Sequence, residues 1–128
     1  MEPIELPVPP SVNAIWRVCR VQSGARVTLS KRYREWLDEA ILKLRMGMRP
    51  VPASAYPIAI RVTIVRGNGW RAGRDGDNCL KVVSDCLVKS QRIVDDSEDY
   101  VTEFTVRFGP RAVNACVLVT VEPVKAVA

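Results

Sequence analysis

The chain has 128 residues, of which 19 are Lys or Arg and 14 are Asp or Glu, giving a formal net charge of +5. This length suits a single domain, residues 1–128, that can build a core without disulfide or metal crosslinks. The sequence contains no histidine, which excludes Ser-His-Asp and Cys-His nucleophilic catalysis as well as histidine-ligated metal centres.

The N-terminal half predicts three strands and a helix. Alternation in IELPV predicts a first strand around Ile4 and Leu6, and WRVCRVQSGARVTLS alternates on both sides of Ser23-Gly24, as a β-hairpin does. Ser30 is the expected N-cap of a helix over KRYREWLDEAILKLRM. Apolar residues in that helix recur at spacings of three and four and form one stripe: Tyr33, Trp36, Leu37, Ala40, Ile41 and Leu44.

The C-terminal half predicts a strand, a helix and two more strands. YPIAIRVTIVRG is rich in β-branched residues and leads into the basic, glycine-rich loop RGNGWRAGRDG. A second helix is predicted from about Asn78 to Lys89 with Asp77 as its N-cap, followed by strands at YVTEFTVRF and NACVLVTVEP. The order βββ-α-β-α-ββ predicts an α+β fold with two main helices packed on a mixed or antiparallel sheet, whose strand order the sequence does not specify.

Neither a membrane segment nor a disulfide framework is expected. The opening MEPIELPVPP lacks the features of a secretory signal, and no apolar run reaches the roughly 20 residues of a membrane span. The four cysteines contain no CxxC pair, so we interpret them as reduced, mostly buried thiols of a cytoplasmic protein, with a disulfide as the alternative. The positive charge favours a polyanionic partner but is a weak signal alone.

Five of the fourteen acidic residues lie in RDGDNCLKVVSDCLVKSQRIVDD, at positions 75, 77, 85, 95 and 96. At about 100° per helical residue, Lys81 lies about 40° and Asp85 about 80° from Asp77, so the three share one face. The other face carries residues expected to pack in the core: Cys79, Leu80, Val83, Cys86 and Leu87.

Each acidic residue also has an ordinary structural interpretation. Asp77 would cap the helix, Lys81 would pair with Asp85 at i, i+4, and Asp95-Asp96 would form a solvated turn. Taken together, however, crowded carboxylates repel one another. A divalent cation removes that conflict, and Mg²⁺ prefers such oxygen ligands together with water and phosphate oxygens.

The segment DGDNCLKVVSDCL, followed by VDD, resembles the D-x-D-N-x-x-K-x-x-x-D-x-L…D-D pattern of the RusA family of Holliday junction resolvases. LPVPPSVNAIWR is similar to that family's P-P-S-x-N opening, and the resemblance extends from about Leu6 to Val106. It implies a homodimeric, Mg²⁺-dependent endonuclease that cuts four-way DNA junctions with paired symmetric nicks and uses no nucleotide cofactor. Many relatives have a glycine in the turn before the paired aspartates, whereas VKSQRIVDD has none.

The resemblance also assigns roles to individual residues. Asp75, Asp77 and Asp96 match the catalytic carboxylates that bind the metal, and Lys81 matches the essential lysine. Three further positions match with auxiliary roles: Asp95 as a neighbouring acid, Asn78 at the helix start, and Asp85 beside Lys81.

Basic residues around the acidic segment are candidate DNA contacts. We expect phosphates to be held by Arg66, Arg71, Arg74, Lys89 and Arg92. Trp70 would either stack on an exposed base or anchor its loop. Trp16 and Arg17 follow the proline-rich turn and are further candidates, although Trp16 equally suits the core.

Two other functions remain open from the sequence. One is a basic DNA-binding module without catalysis, whose acidic residues are structural or bind a stabilising ion. The other is a nuclease of the same fold that acts on a different branched DNA.

Overall fold

In the part of the chain that the structure describes, six strands and two α-helices follow one another in the predicted order. The computed structural model describes residues 1–11, 16–21 and 24–124, with only the backbone described for 16–21 and 24–29. The elements are β1 (Ile4–Leu6), β2 (Trp16–Val21), β3 (Gly24–Leu29), α1 (Lys31–Gly47), β4 (Ile58–Val65), α2 (Gly76–Lys89), β5 (Val101–Phe108) and β6 (Cys116–Pro123), with a short 3₁₀ turn at Ala53–Ala55.

The main sheet is mixed and has the strand order β1-β6-β4-β5. β6 lies antiparallel to both β1 and β4, whereas β4 and β5 are parallel and pair from Ile58 opposite Val101 to Ile64 opposite Phe108. β2 and β3 form a separate antiparallel hairpin, as predicted; Ser23 of its turn lies outside the described residues. The α+β prediction is confirmed, and the sheet order is new information.

The parallel pair places two loops at one edge of the sheet. Because β4 and β5 run in the same direction, the chain must cross between them, and α2 makes this crossover. The loop after β4 (residues 66–75) and the loop after β5 (residues 109–115) therefore leave the sheet together. Backbone hydrogen bonds join them, from Asn68 N–H to Val113 O at 2.8 Å and from Ala112 N–H to Arg66 O at 3.0 Å.

Helix α1 begins and packs as its sequence predicts. The Ser30 hydroxyl accepts a hydrogen bond from the Tyr33 N–H at 3.2 Å and so caps the helix. Its buried residues are Tyr33, Trp36, Ala40 and Leu44, while Leu37 and Ile41 pack at the margin. The Trp36 indole N–H donates to the Pro7 carbonyl at 2.8 Å, which ties the helix to the segment after β1.

Helix α2 buries the stripe predicted for it. Cys79, Val83, Cys86 and Leu87 are fully buried, Leu80 lies at the margin, and Val82 and Ser84 complete the buried set. Burial raises the pKa of the Cys86 thiol to about 12 and also raises that of Cys79. Cys79, Cys86 and Cys116 are all free. The prediction of packed, reduced cysteines is confirmed for Cys79 and Cys86; the Cys19 side chain lies outside the described residues.

The turn after α2 uses a left-handed residue where glycine is usual. Gln91 has φ +60°, the Gln91 N–H donates to Val88 O, and the Arg92 N–H donates to Leu87 O, both at 3.0 Å. This is a Schellman ending, in which the left-handed position favours glycine. The turn after α2 therefore has the usual Schellman hydrogen bonds although it lacks glycine, and Gln91 bears the backbone strain.

Gln91→Gly is expected to stabilise the protein by about 0.5–1 kcal/mol, because it removes the left-handed strain. We expect the midpoint of thermal unfolding to rise by about 2–4 °C. Gln91→Ala is the matched control, since it removes the same side chain but keeps the strain. An equal rise for both variants would contradict a backbone origin.

The two helices of the described structure are not suited to cross a membrane. Within the described part of the chain, neither helix combines the length and the apolar character needed to span a bilayer.

Candidate functional site

The start of α2 presents two aspartates, one at the N-cap position and one in the first turn of the helix. The helix begins at Gly76, two residues earlier than predicted, and Asp75 is its N-cap, with its Oδ1 accepting from the Asp77 N–H at 2.9 Å. The prediction that Asp77 is the N-cap is therefore wrong. Asp75 has the extended backbone that a cap requires, and Asp77 already lies inside the helix. Both carboxylates lie at the positive end of the helix dipole, which favours negative charge there.

The predicted polar face of α2 is present. Asp77 and Lys81 are exposed, and Asp85 and Asn78 are half-buried. The ion pairs found among the described residues are Lys31–Glu35, Arg61–Glu103 and Arg61–Glu122, and none of these joins Lys81 to Asp85. The i, i+4 pairing considered from the sequence is thus not formed, which leaves the Lys81 ammonium group exposed on the same face as Asp77.

The loop after α2 brings a further carboxylate toward this helix. Burial raises the pKa of the Asp85 carboxyl, and the negative charge of Asp96 raises it further, whereas Lys89 and Lys81 lower it. The electrostatic effect of Asp96 on Asp85 indicates that the loop after α2 brings these two carboxylates near each other. Asp95 and Asp96 are both half-buried, and the Asp96 N–H donates to Asp95 Oδ1 at 2.9 Å.

Asp85→Asn is expected to stabilise the metal-free protein at pH 7. Because the folded-state pKa of Asp85 is raised, its contribution to stability is present below the unfolded-state pKa and is lost as the pH rises through the folded-state value. The variant should therefore melt at a higher temperature than the wild type at pH 7, with the difference shrinking toward acidic pH. Asp38→Asn, exposed on α1, controls for the loss of one negative charge. A difference that grew on acidification would contradict the assignment.

Side-chain contacts fasten the turn that precedes the paired aspartates. The Arg92 guanidinium donates from Nη1 to Met48 O at 3.0 Å and from Nε to Ser90 O at 3.2 Å. The Val94 N–H donates to the Tyr56 hydroxyl at 3.0 Å. Arg92, a predicted DNA contact, is thus engaged in joining the C-terminal ends of the two helices.

The other predicted DNA contacts fall in different environments. Lys89 lies 5.5 Å above the Tyr33 ring, and its Nζ is 3.4 Å from the Tyr33 hydroxyl. Arg71 is exposed. Trp70 is half-buried and packs against the core, with its ring edge-on to Phe108 at 5.9 Å, so it anchors its loop. The side chains of Trp16 and Arg17 lie outside the described residues. DNA binding by these residues stays a prediction.

Two residues absent from the sequence-based site join Arg66, Trp70 and Arg74 at the sheet edge. Phe108 ends β5 and Arg111 follows it, and both line a cavity with the residues of the loop after β4. Few local sequence features indicate them, because the two loops meet only through the parallel pairing of β4 and β5. A basic residue soon after a strand-ending aromatic, in RFGPR, is the one local signal.

The predicted metal ligands are oxygen donors of the kind that Mg²⁺ binds, but they do not form a complete coordination site by themselves. Within the described residues, no three cysteine, aspartate or glutamate side chains group closely enough to hold a metal ion. The predicted set Asp75, Asp77 and Asp96 offers only oxygen donors, the kind that Mg²⁺ prefers, and Mg²⁺ commonly uses one or two carboxylates with water and substrate phosphate. The donors therefore fit the ion, and their joint use stays a prediction.

Comparison with protein families gives a match over nearly the whole chain. The model described as endodeoxyribonuclease RusA matches residues 7–122, a range that contains β2 to β5, both helices and all five clustered aspartates. A search of curated proteins found no match. The family match agrees with the motif at the start of α2 and with the paired aspartates after it, and it makes DNA the partner class. The chain therefore belongs to the RusA family of endodeoxyribonucleases.

Proposed function

We propose that the protein is a Mg²⁺-dependent endonuclease that resolves four-way DNA junctions by paired nicks, acting as a homodimer. The observation that carries the proposal is the start of α2, where Asp75 and Asp77 are exposed beside Lys81 in a chain of this nuclease family. A four-way junction with two-fold symmetry needs two cuts, and a two-fold dimer offers two equivalent sites.

The proposed site residues have different roles in phosphodiester hydrolysis. Asp75, Asp77 and Asp96 would hold the ion. Asp75 has one carboxylate oxygen left for this purpose, since the other accepts from the Asp77 N–H. When bound, Mg²⁺ supplies Lewis acidity at the scissile phosphate. Lys81, exposed and without an ion-pair partner among the described residues, stabilises charge on the phosphate or positions the attacking water.

Auxiliary residues keep these groups in place. Asn78 steadies the first turn of α2, and Asp85 attracts the ammonium group of Lys81 toward the loop that carries Asp95 and Asp96. The effects of Lys81 and Asp96 on the pKa of the Asp85 carboxyl support this arrangement. The exposed Arg71 and Lys89 provide positive charge for DNA phosphates on either side.

Cleavage of defined DNA substrates tests the proposal. The protein is incubated with a synthetic four-way junction, a matched linear duplex and a flapped duplex, each with Mg²⁺ or with EDTA. We expect symmetric nicks in the junction with Mg²⁺, and binding without cleavage in EDTA. Junction binding with no Mg²⁺-dependent cutting would indicate a DNA-binding module without catalysis. Equal cutting of all substrates would keep the nuclease but contradict junction specificity.

A further inference from the structure

A cavity of about 350 Å³ lies at the edge of the sheet where β4 and β5 end, beside the start of α2. Its walls come from the loop after β4 and the loop after β5, so it lies beyond the carboxyl ends of the two parallel strands. Ligands commonly bind at that position in sheets with parallel strands. Among the described residues that line the cavity, three are arginines and none is acidic: Arg66, Arg74 and Arg111.

Aromatic rings hold two of these arginines in place. The Arg66 guanidinium carbon lies 5.1 Å above the centre of the Phe108 ring, and that of Arg74 lies 5.1 Å from the centre of the Trp70 ring. The two rings meet edge to face at 5.9 Å. Arg74 also donates from Nη2 to the Pro9 carbonyl. Both guanidinium groups are therefore positioned before any ligand arrives, which lowers the entropic cost of binding.

One nitrogen atom of each of these two arginines lacks a hydrogen-bond partner. The Nε atoms of Arg66 and Arg74 are buried, and neither forms a hydrogen bond within the described structure. None of the ion pairs found there involves either residue. A buried donor without an acceptor is costly. The two arginines therefore keep unused hydrogen-bonding capacity beside a positively charged cavity, which suits a ligand that brings negative oxygen atoms.

The loop is built to keep this geometry. A Cβ at Gly67 would clash with the carbonyl oxygen of Ala112 and would lie 2.9 Å from that of Val113, so only glycine allows the two loops to approach this closely. Gly73 has φ +80°, which turns the chain just before Arg74. The arginines thus project from a backbone that is fastened on both sides.

We propose that this cavity binds one phosphate group of the DNA backbone, held by Arg66 and Arg74 and closed by Arg111. A phosphate matches the guanidinium donors in charge and geometry. A stacked base matches them less well, because guanidinium groups already lie against both aromatic rings. The inference rests on the proposed function, since it places a bound strand beside Asp75 and Asp77, and it assigns to Phe108 and Trp70 the task of positioning the arginines.

Replacing single phosphates in the DNA tests the contact without altering the protein. Neutral methylphosphonate linkages are introduced one at a time into a four-way junction, and binding is measured in EDTA. We expect one linkage per pair of arms at which the methylphosphonate lowers the affinity of the wild-type protein about tenfold. At the same linkage, the methylphosphonate should not lower the affinity of Arg66→Gln, because this variant has already lost the contact. Wild-type binding that is insensitive to every single replacement, or an Arg66→Gln variant as sensitive as the wild type at that linkage, would overturn the inference.

The salt dependence of binding supplies a matched control. Arg66→Gln should weaken junction binding about tenfold and lower the slope of log K against log salt by about 1. Arg107→Gln removes the same charge from the opposite face of β5, where the Arg107 Nε donates to the Thr63 hydroxyl, and should change affinity less than about twofold. Equal weakening by both variants would mean a general charge effect and would overturn the site.

Cleavage of the unmodified junction with Mg²⁺, measured in parallel, separates this inference from the proposed function. If the protein cuts the junction but no linkage shows the expected loss of affinity, the proposed function stands and the proposed phosphate site is wrong. Titration with inorganic phosphate at constant ionic strength adds a direct readout, because the Arg66 Nε–Hε NMR signal should shift with phosphate and not with chloride. Equal shifts with both anions would contradict a phosphate site.

Discussion

Asp77→Asn is expected to lower the rate of junction cleavage by about 10³-fold or more, because it would remove one of the proposed metal ligands from the first turn of α2. Junction binding in EDTA should be unchanged or tighter, since one negative charge near the DNA phosphates is lost. The fold should be retained, because the hydrogen bond at this position uses the Asp77 backbone N–H rather than its side chain.

Single-turnover cleavage with saturating protein, together with a binding titration, separates these effects. Asp99→Asn, exposed and beyond the paired aspartates, is the matched control and should cleave at the wild-type rate. Normal cleavage by Asp77→Asn would show that the residue is not a metal ligand.

Gly67→Ala is expected to destabilise the protein by about 2–3 kcal/mol, a large part of a typical total stability of 5–15 kcal/mol. The added methyl group would meet the backbone carbonyls of Ala112 and Val113, which cannot move without breaking the hydrogen bonds between the two loops. Urea unfolding measures the change. We also expect weaker junction binding, because the Arg66 backbone belongs to the same contact.

Gly76→Ala is the control for that substitution. A Cβ there would lie 3.4 Å from Ile64 Cδ1 and 3.5 Å from Val106 Cγ2, which is ordinary contact. Since Ala also has the higher helix propensity, this variant should be as stable as the wild type or more so. Equal destabilisation by both substitutions would contradict the close approach at Gly67.

Local patterns were sufficient to predict most of the fold. The spacing of Tyr33, Trp36, Ala40 and Leu44 identified α1, and Ser30 identified its start, because helix periodicity and capping are local effects. The strand order was not predictable. It depends on β6 inserting between β1 and β4, and that pairing joins residues distant in sequence.

The start of α2 shows the limit of predicting caps from residue type. Asp75 and Asp77 are both good N-cap residues, and the choice depends on which of them has extended backbone. The structure selects Asp75, because the helix continues back through Gly76 to the end of the basic loop. The polar face with Asp77, Lys81 and Asp85 was nevertheless predicted well, since a shift in the helix start leaves the helical period unchanged.

The turn before Asp95 and Asp96 shows how one backbone conformation can be reached without the usual residue. A glycine would mark the left-handed position in the sequence, whereas Gln91 does not. The conformation is imposed by its surroundings, where Arg92 and Arg45 both donate to Ser90 O and the Val51 N–H donates to Arg92 O. Such long-range contacts leave no local signal.

Titration of ¹⁵N-labelled protein with Mn²⁺ tests most directly whether one cation is held jointly by the start of α2 and the loop at Asp96. We expect the amide signals of residues 75–78 and 95–97 to broaden together at low Mn²⁺, to recover with excess Mg²⁺, and to be unaffected in Asp77→Asn. Broadening confined to one of the two segments, or spread over unrelated acidic residues such as Glu35 and Glu103, would contradict a shared metal site.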